Sequence, residues 1–419
     1  MTTRWKKLAA VAAALAATSL VLTACAPAGD DKVIRVAMGS PGEAQIRVWD
    51  AAAAEFAEAN PGWTVEMNYQ DDDQYQTIGL PNLLNGRNAP DIYFEWVGSR
   101  LETRTADGFA ADITEYVEDG PLAGLLEESA YAPATVDGGI RLVPHIADVT
   151  NVLWYNEDIF AEQGLTPPTT WEELLDTCDA LDSAGIIPIA SGNKDLWAAG
   201  NWLGHLVSRV VGEDVYDSAL KGETSFDTPE WVEAFGYVQE LADHKCVNES
   251  ANAIDDNEGA QLFFQGQAAM HAIGSWLVSW AIDEAPDLNF DFVNLPEMPG
   301  AGDQQSVIGV ITGYVVNAKS TKIEKAVEFL ALVNDEENVN AFIEAEAIPL
   351  ALSAANSDAI DERTLRLNAL LADSGTVINP PDTGYDLGTA EAFYAALAAV
   401  LGGQATPEDA VATLAGAVG

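Results

Sequence analysis

Positive charge is what this chain has least of. Its 419 residues hold 19 lysines and arginines against 66 aspartates and glutamates, a formal net charge of −47. A surface so negative repels phosphate backbones and anionic lipid head groups, which argues against nucleic acid and against electrostatic docking on a membrane. Histidine is scarce as well: His145, His205, His244 and His271 are the four present, and none stands in an HExxH arrangement. There is no CxxC pair, Walker loop or GxSxG elbow either, so a metal centre, a nucleotide site and a nucleophilic triad have little support, and no cofactor is expected. Asp71-Asp72-Asp73 and Asp255-Asp256 lack the spacing of a calcium loop and read as solvated acidic turns. No internal repeat is present.

Cysteine occurs three times. Cys25 follows a cationic start (MTTRWKK), an apolar, alanine-rich stretch from Leu8 to Leu22, and small residues. That order marks residues 1–24 as a secretory signal peptide and not a spanning helix. Leu22-Thr23-Ala24-Cys25 also resembles the bacterial lipobox, which implies cleavage before Cys25 and acylation of its thiol. The alternative is plain secretion with Cys25 discarded or free. Residues 25–31 then read as a lipid-anchored tether, and the location as extracytoplasmic at the cell membrane. In an oxidising space the remaining pair, Cys178 and Cys246, suits a disulfide, with two buried thiols as the alternative.

What the chain has in plenty is alternation of strand and helix. Val33–Met38 reads as a buried strand, Ile46, Trp49, Ala53 and Phe56 fall at helical spacing, and Trp63, Val65, Met67 and Tyr69 alternate as a second strand. This β-α-β order argues for an α/β lobe with a parallel sheet. Ala89–Phe94 makes a third strand, with Glu95 and Trp96 just past its end. Arg141–Asn156 (RLVPHIADVTNVLWYN) is extended with a polar break at Asp148 and reads as a crossing into a second lobe. Val307–Val316 reads as another crossing. Thr170 and Glu173 form a capping-box pair, as do Thr321 and Glu324.

Aromatic and polar residues gather at the predicted ends of elements: Glu43, Glu95, Trp96, Asp148, Asn193, Trp197, Ser275, Trp276 and Tyr385. Ligands bind beyond the carboxyl ends of strands in open α/β sheets. Sugars suit such a set, since their C–H faces stack on indoles while their hydroxyls bond to carboxylates and amides.

Taken in order, PDIYFEW near residue 90, the run from Val143 to Leu175, FFQGQAAMHAIGSW from Phe263 and VIGVITGYVVNAKSTKIEKAVEFL from Val307 resemble the extracellular solute-binding proteins of sugar ABC importers, the class related to maltose-binding protein. The resemblance implies an α/β, two-lobed periplasmic-binding-protein-like fold of class II. It also implies three interlobe crossings, with the N-terminal lobe at 32–146 and 310–350 and the C-terminal lobe at 147–309 and 351–419. Carried over by position, the ligand contacts are Glu43, Glu95, Trp96, Asp148, Asn193, Trp197, Trp276 and Tyr385. The first-lobe loop GSPGE lacks the aromatic or lysine often found there. The expected activity is capture of a sugar, most simply an oligosaccharide, by a monomer that delivers it to a membrane permease, with no catalysis. A polyamine-type solute is the alternative the acidic balance permits. A surface glycosidase is the rival from another class, since two carboxylates can lie at catalytic separation in a chain this acidic.

Overall fold

The computed structural model describes residues 32–126, 128–345, 361–374 and 376–418. The expected signal peptide, lipid-bearing Cys25 and tether therefore lie outside the described residues, as does the expected third crossing near residue 350.

In chain order the strands are β1 Val33–Gly39, β2 Thr64–Gln70, β3 Ile92–Trp96, β4 Thr135–Val136, β5 Gly139–Ile140, β6 Val143–Val149, β7 Val152–Asn156, β8 Ile187–Ala190, β9 Ala268–Ile273, β10 Phe290–Val293, β11 Val307–Val316 and β12 Val377–Ile378. The first lobe is built on the order β2-β1-β3-β11, with β6 on the far side of β11. β1 pairs parallel with β2 and β3, as the β-α-β pattern requires, while β11 runs antiparallel to both β3 and β6. The second lobe holds the sheet β10-β7-β9-β8.

Apolar periodicity explains both cores. The helix Glu43–Ala59 buries Val48, Trp49, Ala52 and Phe56 against the first sheet, and the Trp49 ring meets Tyr314 edge-on at 4.6 Å. In the second lobe the helix Pro229–Asp243 buries Trp231, Phe235, Val238 and Leu241. Cys178 and Cys246 are joined by a disulfide with Cα atoms 5.0 Å apart, pinning the helix Trp171–Ala184 to the segment after residue 243.

Two strands carry the chain between lobes side by side. β6 ends at Val149, Thr150 N–H donates to Ile308 C=O at 2.9 Å, and β7 begins at Val152 in the second sheet. β11 starts beside β12, where Val307 and Ile308 pair with Val377 and Ile378, and ends deep in the first sheet. Because the two crossings share hydrogen bonds, a bend in one must bend the other.

Two local readings need correction. Thr321 and Glu324 do not form a capping box: the helix begins at Ile323, Lys322 takes the cap position, and no side chain bonds there. Asp255, read as part of a solvated turn, instead caps the helix Asp256–Phe264 in a capping box with Glu258, and Asp256 is buried.

Candidate functional site

The carboxyl ends of the strands in both lobes face a cavity of about 480 Å³ between them. From the first lobe it is lined by Gly39–Glu43 after β1, by Asp71 and Asp72 after β2, and by Phe94 and Trp96 of β3. The second lobe contributes Trp197 at the start of the helix Trp197–Val211, and Ser275, Trp276 and Trp280 after β9. Residues His145–Thr150 of the first crossing form its floor together with Val310, Thr312 and Tyr314 of the second.

Of the eight positions expected to contact ligand, five line this cavity: Glu43, Trp96, Asp148, Trp197 and Trp276. Trp197 and Trp276 lie together, with ring centroids 6.0 Å apart and planes tilted by 48°. Trp96 packs edge-on against Phe94 at 4.7 Å and carries the Arg100 guanidinium over its face at 4.8 Å. Asp148 Oδ1 accepts from the Ser275 hydroxyl at 2.7 Å. Burial pushes the Asp148 carboxyl up to about 6, and the Ser275 bond opposes that rise.

The other three stand behind the wall. Glu95 is fully buried and pairs with Arg104 Nε at 2.9 Å. Glu95 and Trp96 are the last two residues of β3 and not the residues beyond it, so strand alternation turns Trp96 toward the cavity and Glu95 away. Asn193 Nδ2 donates to Asn252 Oδ1 at 2.8 Å, and its Oδ1 accepts from Ala199 N–H, bracing the first turn of the helix that begins with Trp197. Tyr385 is 7% exposed, and its hydroxyl donates to Asp217 Oδ1 at 3.0 Å.

Several lining residues escaped the sequence reading. Trp280 follows Trp276 by four positions, one helical turn, and that spacing was a usable signal. Asp72 was hidden in an acidic run, yet it accepts from Gln76 Nε2 at 2.6 Å and burial pushes its carboxyl up to about 6. Asn201 and Asp382 are brought in by distant segments that no local pattern links: the Tyr394 hydroxyl oxygen lies 2.6 Å from Asn201 Oδ1 and 3.1 Å from Asp382 Oδ1.

The lobes also touch beside the cavity. Ser99 Oγ lies 2.6 Å from the Tyr385 carbonyl and 3.0 Å from that of Thr383, and Arg100 reaches the Asp382 carboxylate at 3.5 Å. Gly98, at φ +99°, permits this approach, since a Cβ there would stand 2.4 Å from the Thr383 oxygen. Among the described residues no group of three or more His, Cys, Asp or Glu is placed to hold a metal ion. No helix among them is long and apolar enough to cross a membrane.

Two α/β lobes, adjoining crossing strands and a cavity between the lobes define the class of binding proteins that close on a solute about a hinge. The chain belongs to the bacterial extracellular solute-binding proteins, whose family profile it matches over residues 41–340. It is 26% identical over 269 residues to an uncharacterized ABC transporter extracellular-binding protein of Pyrococcus horikoshii, a match covering 64% of this chain and 59% of that one. The chain thus spans under two thirds of that relative's length. Among solved structures, a protein from work on xylan utilization by Caldanaerobius polysaccharolyticus superposes with a TM-score of 0.83 at 21% identity, over 92% of this chain and 99% of the other. A chitin oligosaccharide binding protein superposes at 0.82 with 21% identity, over 92% and 98%. Both share the fold.

Proposed function

We propose that this protein captures a sugar outside the membrane and hands it to the permease of an ABC importer by closing its two lobes, with no catalysis of its own. The observation that carries this is the pairing of indoles and carboxylates in one interlobe cavity: Trp96, Trp197, Trp276 and Trp280 beside Asp72 and Asp148. A ring covering on the order of 100 Å² of sugar surface contributes ~2.5 kcal/mol gross at ~25 cal/mol per Å². Two such stacks and a few hydrogen bonds to carboxylates, each worth ~1.5 to 3 kcal/mol, support micromolar affinity after the entropy of association. The neighbour that binds chitin oligosaccharides has the same fold and favours an oligosaccharide.

In this reading Glu43, Trp96, Asp148, Trp197 and Trp276 touch the ligand, while Glu95, Asn193 and Tyr385 hold the walls. The lobes divide at 32–146 with 310–350 and at 147–309 with 351–419. The protein is a monomer held at the outer face of the cell membrane by lipidated Cys25. Tryptophan fluorescence titrated with mono- to tetrasaccharides and with spermidine tests the proposal. A saturable response to a saccharide supports it, and a response to the polyamine alone refutes it.

A further inference from the structure

Cations are so few in this chain, 19 against 66 carboxylates, that their placement is informative. Away from the cavity, buried carboxylates receive one. Asp91, 4% exposed, meets Lys322 Nζ at 2.7 Å, and Glu95, 0% exposed, meets Arg104 at 2.9 Å. Leaving such a group without a counter-charge costs several kcal/mol in general, which is the physical reason for the pairing.

The cavity differs in degree. Seven carboxylates line it, and among the described residues no lysine or arginine does, although Arg100 reaches one of the seven, Asp382, at 3.5 Å. Overall acidity accounts for that number, but not for the partners. Asp148 is given the Ser275 hydroxyl and Asp72 the Gln76 amide, both neutral donors; Asp72 also feels the charge of Arg100, whereas burial and the Ser275 bond alone act on Asp148. Burial has already pushed both carboxyls up to about 6, the mark of anions poorly compensated by their surroundings.

His145 adds an independent sign. It lines the same cavity and is 2% exposed. Asn334 Nδ2 donates to the Leu330 carbonyl, which fixes Asn334 Oδ1 as the acceptor 3.5 Å from His145 Nδ1. The imidazole, kept neutral because burial lowers it to about 4, therefore carries its proton on Nδ1. Its Nε2 is left as a buried acceptor with no partner. The cavity thus presents carboxylates and a ring acceptor together, and asks its ligand for donors and positive charge.

We propose, resting on the sugar-binding reading, that the solute is a saccharide bearing at least one protonated amine, its ammonium set against Asp72 and Asp148 while its rings stack on the cavity tryptophans. An ammonium supplies three donors and no acceptor, and the faces of indole rings attract it as well. A neutral sugar would leave the carboxylate charges uncompensated, whereas a linear polyamine would leave the flat indole faces without a ring to cover.

Calorimetric titration of the chain from Cys25 onward at pH 7 tests this with matched probes. These are mono- to tetramers of β-1,4-linked glucosamine, their N-acetylated counterparts, glucose oligomers of the same lengths, and spermidine. The expected result is binding of an amine-bearing saccharide about tenfold or more tighter than its N-acetylated twin. Asp148→Asn and Asp72→Asn should each shrink that ratio severalfold while changing the affinity for the acetylated probe less. Equal affinity for the two forms, or binding of glucose oligomers alone, overturns the amine inference and leaves the sugar reading standing. Binding of spermidine and of no saccharide overturns both. A ratio unmoved by either substitution also refutes the assignment, and circular dichroism on the variants confirms that they are folded.

Discussion

The Ser275 hydroxyl donates to Asp148 Oδ1 at 2.7 Å, tying the turn after β9 in the second lobe to the first crossing strand. Ser275 N–H reinforces the tie by donating to the Val149 carbonyl at 2.9 Å. The acid expected to meet ligand is thereby held on the hinge itself, so its orientation depends on how the two lobes sit.

Asp148 also makes stability depend on pH. Its carboxyl titrates near 6 in the folded chain against 3.8 when unperturbed, so between those values the folded state binds more protons. This group's contribution to stability therefore falls as pH rises through that window. Asp148→Asn removes the burial cost of the charge while keeping an acceptor for Ser275. The variant should melt higher than the native chain at pH 7, by on the order of 2 kcal/mol, with the gain fading below about pH 4. Thermal melts at the two pH values check the sign.

Trp276→Ala should weaken ligand binding by ~2 kcal/mol or more with the fold retained, because the ring stands partly exposed in the cavity against Trp197. Gly274→Ala offers a subtler version. A Cβ at Gly274 would lie 2.1 Å from the Trp276 ring, so the methyl must push the indole aside without touching the ligand. Affinity should fall in both variants, and unchanged affinity with a lowered melting temperature would place Trp276 in the core instead.

Glu95 and Arg104 should behave as a stability pair. Arg104→Met leaves the fully buried Glu95 carboxylate without its partner and should cost about 3 to 5 kcal/mol of stability. Chemical denaturation measures it. Trp96 is adjacent in β3, so affinity for the ligand, measured on the fraction that remains folded, should change far less than stability does.

Arg100 links the lobes through Asp382. Arg100→Ala should favour the open form, raising the ligand dissociation rate severalfold and enlarging the ligand-bound radius of gyration in small-angle scattering. A faster dissociation rate with an unchanged radius would mean that Arg100 acts through Trp96, whose face it covers, and not through closure.

Reducing the Cys178–Cys246 bond frees a segment of 68 residues in the unfolded chain. In the chain-entropy account this costs roughly 4 kcal/mol. The double Cys→Ala variant should lose a comparable amount, read by denaturation, and retain binding because neither cysteine lines the cavity.

The architecture was legible because its signals are local. The periodicity of Ile46, Trp49, Ala53 and Phe56, the alternation of β2 and the extended run through Asp148 each depend on neighbours in sequence, and each was read correctly as to type. The site was legible only in part. Trp197 and Trp202 share one helix, five residues apart, a spacing that by itself does not say which faces the ligand. Trp197 lines the cavity and Trp202 is 2% exposed in the core. Glu95 was placed beyond a strand that in fact runs on to Trp96, so strand alternation and not a loop sets which way its side chain points. Asp72 and Asp256 were hidden because an acidic run in an acidic chain looks like solvent-facing loop. Only the packing of the elements around them shows that they are at the cavity.

The most direct test of solute capture between the lobes is calorimetric titration of the native chain, Trp276→Ala and Asp148→Asn with the saccharide giving the strongest fluorescence response. The account predicts one ligand per chain at micromolar affinity, weakened at least tenfold in Trp276→Ala. Undiminished binding in both variants would place the ligand elsewhere and contradict it.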